Sequence, residues 1–234
     1  MENASKALVM AGGILIALLV IGELLLMFNQ VSDYQRSGTD LEKDQQLTDF
    51  NKEFTQFTYG DIKGYELISL VNKVIDYNGK SGTANYVDYS LKITVKIENL
   101  QGFAGKYGTQ GKSKLFGRVS SYIVNTSATQ FITDVTKFRE LENTYSLATM
   151  SKLSANYDTL KNAYDNPSDE NGTYEGKMQE IVGRVVKYNN KTIKLSDIEN
   201  YREYSEFKTS TFESSTPEYY GNGQVKSMAF KFVK

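Results

Sequence analysis

The stretch LVMAGGILIALLVIGELLLMF, residues 8–28, holds a single charged side chain, Glu23, in an otherwise apolar run. At about 1.5 Å per residue, a helix of about 21 residues covers roughly 30 Å, the hydrocarbon thickness of a bilayer. The run exceeds the roughly 7–15 residues of a secretory h-region, and no small-residue cleavage site follows it promptly, so it predicts a retained signal anchor. A buried helix of a globular core would rarely be apolar around its whole circumference. The layout expected from this run is a cytoplasmic tail over 1–7, a transmembrane helix over 8–28, a helical extension over 29–59 and an extracytoplasmic α+β domain over 60–234. Lysine and arginine are nearly balanced across the two flanks, so the orientation rests on the brevity of the tail: N-terminus inside, C-terminal domain outside, single-pass in the cell membrane.

Small residues recur inside the anchor at a spacing of four, Ala7 with Ala11 and Gly13 with Ala17. Such spacing lets two helices approach closely in lipid, although glycine and alanine are also common in membrane helices generally. Glu23 is the other anomaly. A charge at mid-bilayer costs about 2.5–3.5 kcal/mol on insertion scales, whereas near the outer end a carboxylate can reach the interface or meet a neighbouring chain. Ala7, Ala11, Gly13, Ala17 and Glu23 are therefore the candidate helix–helix contact residues in the membrane.

Beyond the anchor, Val31, Tyr34, Leu41, Leu47, Phe50, Phe54 and Phe57 continue a helical stripe, which predicts a spine helix to about Tyr59 with Gly60 as its C-cap. Asp61 is then placed to open a second helix, its apolar face formed by Ile62, Tyr65, Ile68, Val71 and Ile75, closed by Asn78-Gly79. The clearest strand signal is YVDYSLKITVKIEN, residues 86–99, where Val87 to Ile97 alternate with polar neighbours. One wet face and one apolar face predict a small antiparallel sheet covered by the long helix. The expected class is α+β, with additional helices.

QGFAGKYGTQGKSK, residues 101–114, places Gly102, Gly105, Gly108 and Gly111 at every third position. Four triplets without proline cannot form a collagen helix, and Lys106 stands where the Walker motif needs its first glycine. The stretch reads as a mobile surface loop, with partner binding as its functional alternative. From Ser127 a second stripe, Phe131 to Tyr145 and Met150, Leu153, Tyr157, Leu160 and Tyr164, predicts one long core helix or two stacked ones. DNPSDENG, residues 165–172, is a loop whose Asp165, Asp169 and Glu170 do not match calcium-loop spacing. Residues 178–186 fit a short helix, and VVKYNNKTIKL fits a hairpin turning at Asn189-Asn190 equally well; the pattern leaves the two as alternatives. Ser196 or Asp197 then opens a helix, and the chain closes with a hairpin around Gly221-Asn222-Gly223 that should bury Met228, Phe230 and Phe232.

Composition narrows the chemistry. The 234 residues include neither cysteine nor histidine, so disulfides, thiol nucleophiles, imidazole bases and thiolate or imidazole zinc sites are excluded. Net charge is −1 with both signs interspersed, which offers no basic field to a nucleic acid. Carboxylates such as Glu140 and Glu142 are the remaining catalytic candidates, yet no acidic pair is set off from ordinary solvated helix positions. No enzymatic activity and no cofactor are expected.

The opening MENASKALVMAGGILIALLVI and the ending EYSEFKTSTFESSTPEYYGNGQVKSMAFKF, together with the helix from Ile62 to Asn78, resemble a family of uncharacterised single-pass membrane proteins of Gram-positive bacteria linked with pilus-like or secretion gene clusters. The architecture, a membrane helix continuing into a spine packed on a sheet, is similar to type IV pilins and pseudopilins. Their leader motif is not matched, because cutting after Gly13 would make Ile14 the first residue and Glu23 the tenth. The resemblance implies a pilin-like cell-surface or assembly protein whose partners are the lipid bilayer and copies of itself or pilus and secretion components. A non-polymerising accessory subunit is the alternative, and a surface enzyme using carboxylates the weaker one.

Overall fold

The computed structural model describes residues 2–84, 86–107, 115–116, 120–125, 130–168 and 172–233. The fold is α+β, and the chain forms two compact units, Met1–Asp49 and Phe50–Lys234.

The first unit is helical along its described length, as part of helix α1, Glu2–Thr55. Within it Gly12–Asp33 is long and apolar enough to cross a membrane, and none of that stretch is buried by protein. Ile14, Ile16, Leu18 and the large apolar side chains from Leu19 to Phe28, which a soluble domain would hide, are exposed, Phe28 at 73%.

The second unit begins with the last turns of α1. Phe50 and Phe54 stack against each other and against Tyr77, with ring centroids 5.3 to 5.6 Å apart, so the expected phenylalanine face does enter the core. A 3-10 turn, Gln56–Thr58, ends the helix, and Gly60 follows at φ +106°, a backbone conformation that favours glycine. The second helix, α2, spans Gly64–Asn78 and starts later than Asp61, because Ile62–Lys63 are taken up as strand β1. The Lys63 N–H donates to the Glu66 carboxylate at 2.7 Å, which closes the first turn of α2.

The alternating stretch 86–99 is not one strand. Thr83–Ala84 (β2) and Val87–Asp88 (β3) make a minute hairpin, and only Thr94–Glu98 (β4) joins the main sheet. The break is local: the Asp88 carboxylate accepts the Ser90 N–H at 2.8 Å, and the Asp88 carbonyl accepts the Leu91 N–H, which turns the chain out of line. After α3, Leu100–Tyr107, come β5, Tyr122–Val124, and later β8, Thr211–Ser214, β9, Glu218–Tyr219, and β10, Val225–Phe232. The main sheet runs β1-β8-β10-β4-β5 with β9 also on β10. It is mixed rather than wholly antiparallel, because β10 lies parallel to β4, Phe230 opposite Ile97. A parallel pair needs a long crossover, and the helices between these strands supply it. A register shift between Val225 and Ser227 lets Val225 and Met228 both reach the core, alongside Phe230 and Phe232.

That crossover resolves the second stripe into three helices, α4, Gln130–Tyr145, α5, Leu147–Ala155, and α6, Tyr157–Asp165. Ser146 breaks the first joint at φ 79°, its hydroxyl accepting the Thr149 N–H at 3.3 Å. Both readings of the next segment hold: α7, Tyr174–Val182, ends at left-handed Gly183, and the hairpin β6, Lys187–Tyr188, and β7, Lys191–Thr192, follows. Asn189 and Asn190 both have positive φ, 51° and 60°, as a type I′ turn requires. The last helix, α8, Leu195–Thr209, buries Ile198, Tyr201 and Phe207 completely, and α2, α5 and α6 pack against it. Phe207 also stacks on Phe103, Phe116 and Phe212, so α8 ties helices to sheet.

Candidate functional site

The residues proposed for contact in the membrane all lie on α1. Gly13 and Glu23 are exposed, and a Cβ added at Gly13 would meet nothing within 4 Å. Ala7 and Ala11, and likewise Gly13 and Ala17, are about one turn apart on this helix.

The glycine-rich loop requires correction. Gly102 and Gly105 belong to α3, because Asn99 at φ 61° starts a helix whose Leu100 and Phe103 are buried. Three-residue spacing of glycines places them along a helix face as readily as in a loop. Gly108 and Gly111 lie outside the described residues, as do Asp169 and Glu170.

Glu142 is committed to structure. Its carboxylate accepts the Tyr201 hydroxyl and the Lys208 ammonium, each at 2.5 Å, and Lys208 lies 4.6 Å from the centroid of the Tyr204 ring. Burial, and then Glu142 beside it, push the Tyr201 hydroxyl far above its usual range. Lys137 and Asp197 form a second half-buried pair at 2.6 Å. Glu203 is buried and accepts the backbone N–H groups of Phe116 at 2.8 Å and Leu115 at 3.3 Å, anchoring that segment to α8. Among the described residues no group of three or more acidic side chains is placed to hold a metal ion.

The feature that sequence reasoning missed is a cleft of about 550 Å³ in the second unit. One wall is a face of α6 carrying Tyr157, Lys161, Tyr164 and Asp165. The other wall joins Tyr174 and Glu175, at the start of α7, to Thr192 on β7 and Ser196 and Glu199 on α8. Tyr164 meets Tyr174 edge to face, 5.6 Å between centroids at 88°. Tyr174 donates its hydroxyl to the Ile193 carbonyl at 2.8 Å, and Thr192 bonds the Glu175 carboxylate, so both contacts tie the start of α7 to β7.

Electrostatics follow from this packing. Burial drives the Tyr174 hydroxyl well above its usual range, with the charge of Asp197 and the neighbouring Tyr164 and Tyr157 adding to it. Lys161 is held above the ordinary lysine value, first by its hydrogen bond to Asp165 and then by that carboxylate's charge, with smaller contributions from Tyr157 and Glu199. Glu199 itself is 9% exposed. A weak signal was present in the sequence: Tyr157, Lys161, Tyr164 and Asp165 share one helix face. Tyr157 and Tyr164 fall in the predicted core stripe with Leu160, yet Leu160 is buried while Tyr164 is 59% exposed.

No family model, curated protein or solved structure matches this chain.

Proposed function

We propose that this chain is a membrane-anchored, pilin-like surface or assembly protein without enzymatic activity, its N-terminal helix in the bilayer and its α+β domain outside the cell. The observation that carries the reading is the pairing of an apolar, protein-free stretch, Gly12–Asp33, with a second compact unit that has its own core. An apolar surface of that length is stable only in lipid or against similar helices. Commitment of Glu142 and Glu203 to internal bonds supports a non-catalytic role, since these carboxylates already serve as acceptors. The same features suit the alternative, an accessory subunit of a secretion or pilus machine that never polymerises.

Fractionation and electron microscopy of bacteria expressing the full chain test the reading. The chain is expected in the membrane pellet after alkaline carbonate washing, and its release there would overturn the anchored reading. Filaments labelled by antibody to the domain would support polymerisation, whereas membrane complexes without filaments would support the accessory subunit.

A further inference from the structure

The cleft against α6 is lined by three tyrosines together with lysine, serine, threonine and carboxylate side chains. Its volume, about 550 Å³, falls within the roughly 300–1,000 Å³ of small-molecule sites. Three tyrosines contribute to it, yet Tyr164 leaves 59% of its surface in solvent, so its ring is not used to build the core.

We infer that this cleft binds a neutral saccharide, with a sugar ring lying on Tyr164 and its hydroxyls read by the polar side chains around it. The inference does not depend on how the chain is anchored.

Three properties of the lining select this ligand class. Exposed tyrosine presents a flat apolar body with a polar tip, which suits the C–H face of a pyranose. Sugar hydroxyls both donate and accept, and the cleft offers both: donors on Lys161, Lys194 and Ser196, and acceptor positions left on Thr192, Glu175 and Glu199 beyond their internal bonds. Glu199 also lines the cleft and is 9% exposed, so a hydrogen bond to its carboxylate would be formed largely away from water.

Charge argues against the other classes. Asp165 is compensated by Lys161, and the remaining Lys194, Glu175 and Glu199 leave only a slight negative excess. A phosphorylated ligand would face carboxylates without a converging basic cluster, and a polycation would face two ammoniums. The bonds from Tyr174 to Ile193 and from Thr192 to Glu175 also fix one wall before any ligand arrives, which lowers the ordering cost of binding.

Titration calorimetry on the full chain in lipid nanodiscs tests this, with chitotriose, cellotriose and maltotriose as probes and glucose 6-phosphate and spermidine as charged comparators. At least one trisaccharide is expected to bind with Kd on the order of 1 mM or tighter, and more tightly than either comparator. Tyr164→Ala should weaken that binding by about tenfold, while Tyr164→Phe, which keeps the ring, should stay within about twofold of the parent. Tyr164→Phe keeps the ring contact with Tyr174 and should melt like the parent, and Tyr164→Ala, which loses that one contact at an exposed position, should still melt cooperatively. Absence of heat with all three sugars, tighter binding of a charged comparator, or an unchanged Kd in Tyr164→Ala would each overturn the proposal.

Discussion

Val225 donates its backbone N–H to the Asn51 side-chain oxygen at 2.8 Å, and Asn51 returns a bond from its amide nitrogen to the Gly223 carbonyl, also at 2.8 Å. A side chain from the end of α1 thus occupies the place of a neighbouring strand for the turn that leads into β10. Val225 is fully buried in the fold, so its N–H depends on Asn51 for a partner. Asn51→Ala should cost about 1–3 kcal/mol, the usual penalty for orphaning a buried donor or acceptor. Asn51→Asp should also destabilise, because it keeps the acceptor but sets a carboxylate against the Gly223 carbonyl. Denaturant melts of the full chain in detergent check both, and unchanged midpoints would show the bonds to be dispensable.

Two glycine substitutions should act in opposite directions. A Cβ at Gly64 would lie 1.8 Å from the Phe207 carbonyl oxygen and 2.7 Å from its carbon, and backbone cannot step aside as a side chain can. Gly64→Ala should therefore cost at least the roughly 1–3 kcal/mol typical of overpacking, by forcing α2 away from α8. Gly105 sits inside α3 with open space around it, so Gly105→Ala should stabilise by about 0.5–1 kcal/mol. A destabilised Gly105→Ala would argue against the helix there.

Alkaline pH should unfold the domain through its buried tyrosines. Tyr77 donates to the carbonyls of Asp88 and Leu91, each at 3.1 Å, and accepts from Gln224; burial raises its pKa from 10.0 to about 12. The folded value exceeds the unfolded one, so the contribution is complete below about pH 10 and is lost as pH rises toward about 12. Burial shifts Tyr174, Tyr201 and Tyr204 in the same direction. Denaturation midpoints should fall steeply across this window, and Tyr77→Phe should be less stable at neutral pH but lose stability more gradually. A midpoint independent of pH up to about 12 would contradict the burial of these hydroxyls.

The proposed orientation places the tail inside and the domain outside. Single cysteines introduced at Ser5 and at the exposed Ser168, in a chain that has none of its own, report this directly. A membrane-impermeant thiol reagent on whole cells should label position 168 and spare position 5. The reverse pattern would invert the topology.

Packing between anchors is tested by bulk. Replacing Gly13 and Ala17 together with isoleucine adds side chains where two helices would have to approach, while raising hydrophobicity so that insertion is preserved. Crosslinked oligomer should fall with no change in surface amount. Glu23→Gln keeps a hydrogen-bonding side chain but removes the charge, so oligomer retained in this variant and lost in the isoleucine pair would assign association to packing. Parent-like crosslinking in both would show that neither feature determines assembly.

What the sequence determined by itself were the features governed by a few neighbouring residues. The apolar run of residues 8–28 is legible because hydrocarbon thickness fixes a length. Burial of Met228, Phe230 and Phe232 is legible because side chains alternate along a strand, whereas around Asn189-Asn190 the sequence leaves helix and hairpin as alternatives. Only the tertiary structure decided what depends on distant partners. Apolar and polar residues alternate without a break from Val87 to Glu98, yet Asp88 folds back on Ser90 and leaves Val95 and Ile97 to pair in parallel with β10, a choice made by the crossover through α4 to α8. Gly102 and Gly105 became helical because Phe103 fills a site among Phe116, Phe207 and Phe232. The cleft was the least legible feature of all. Its α6 face has a helical period indistinguishable from that of a core stripe, and whether Tyr164 meets protein or solvent depends on where α7 and α8 come to rest.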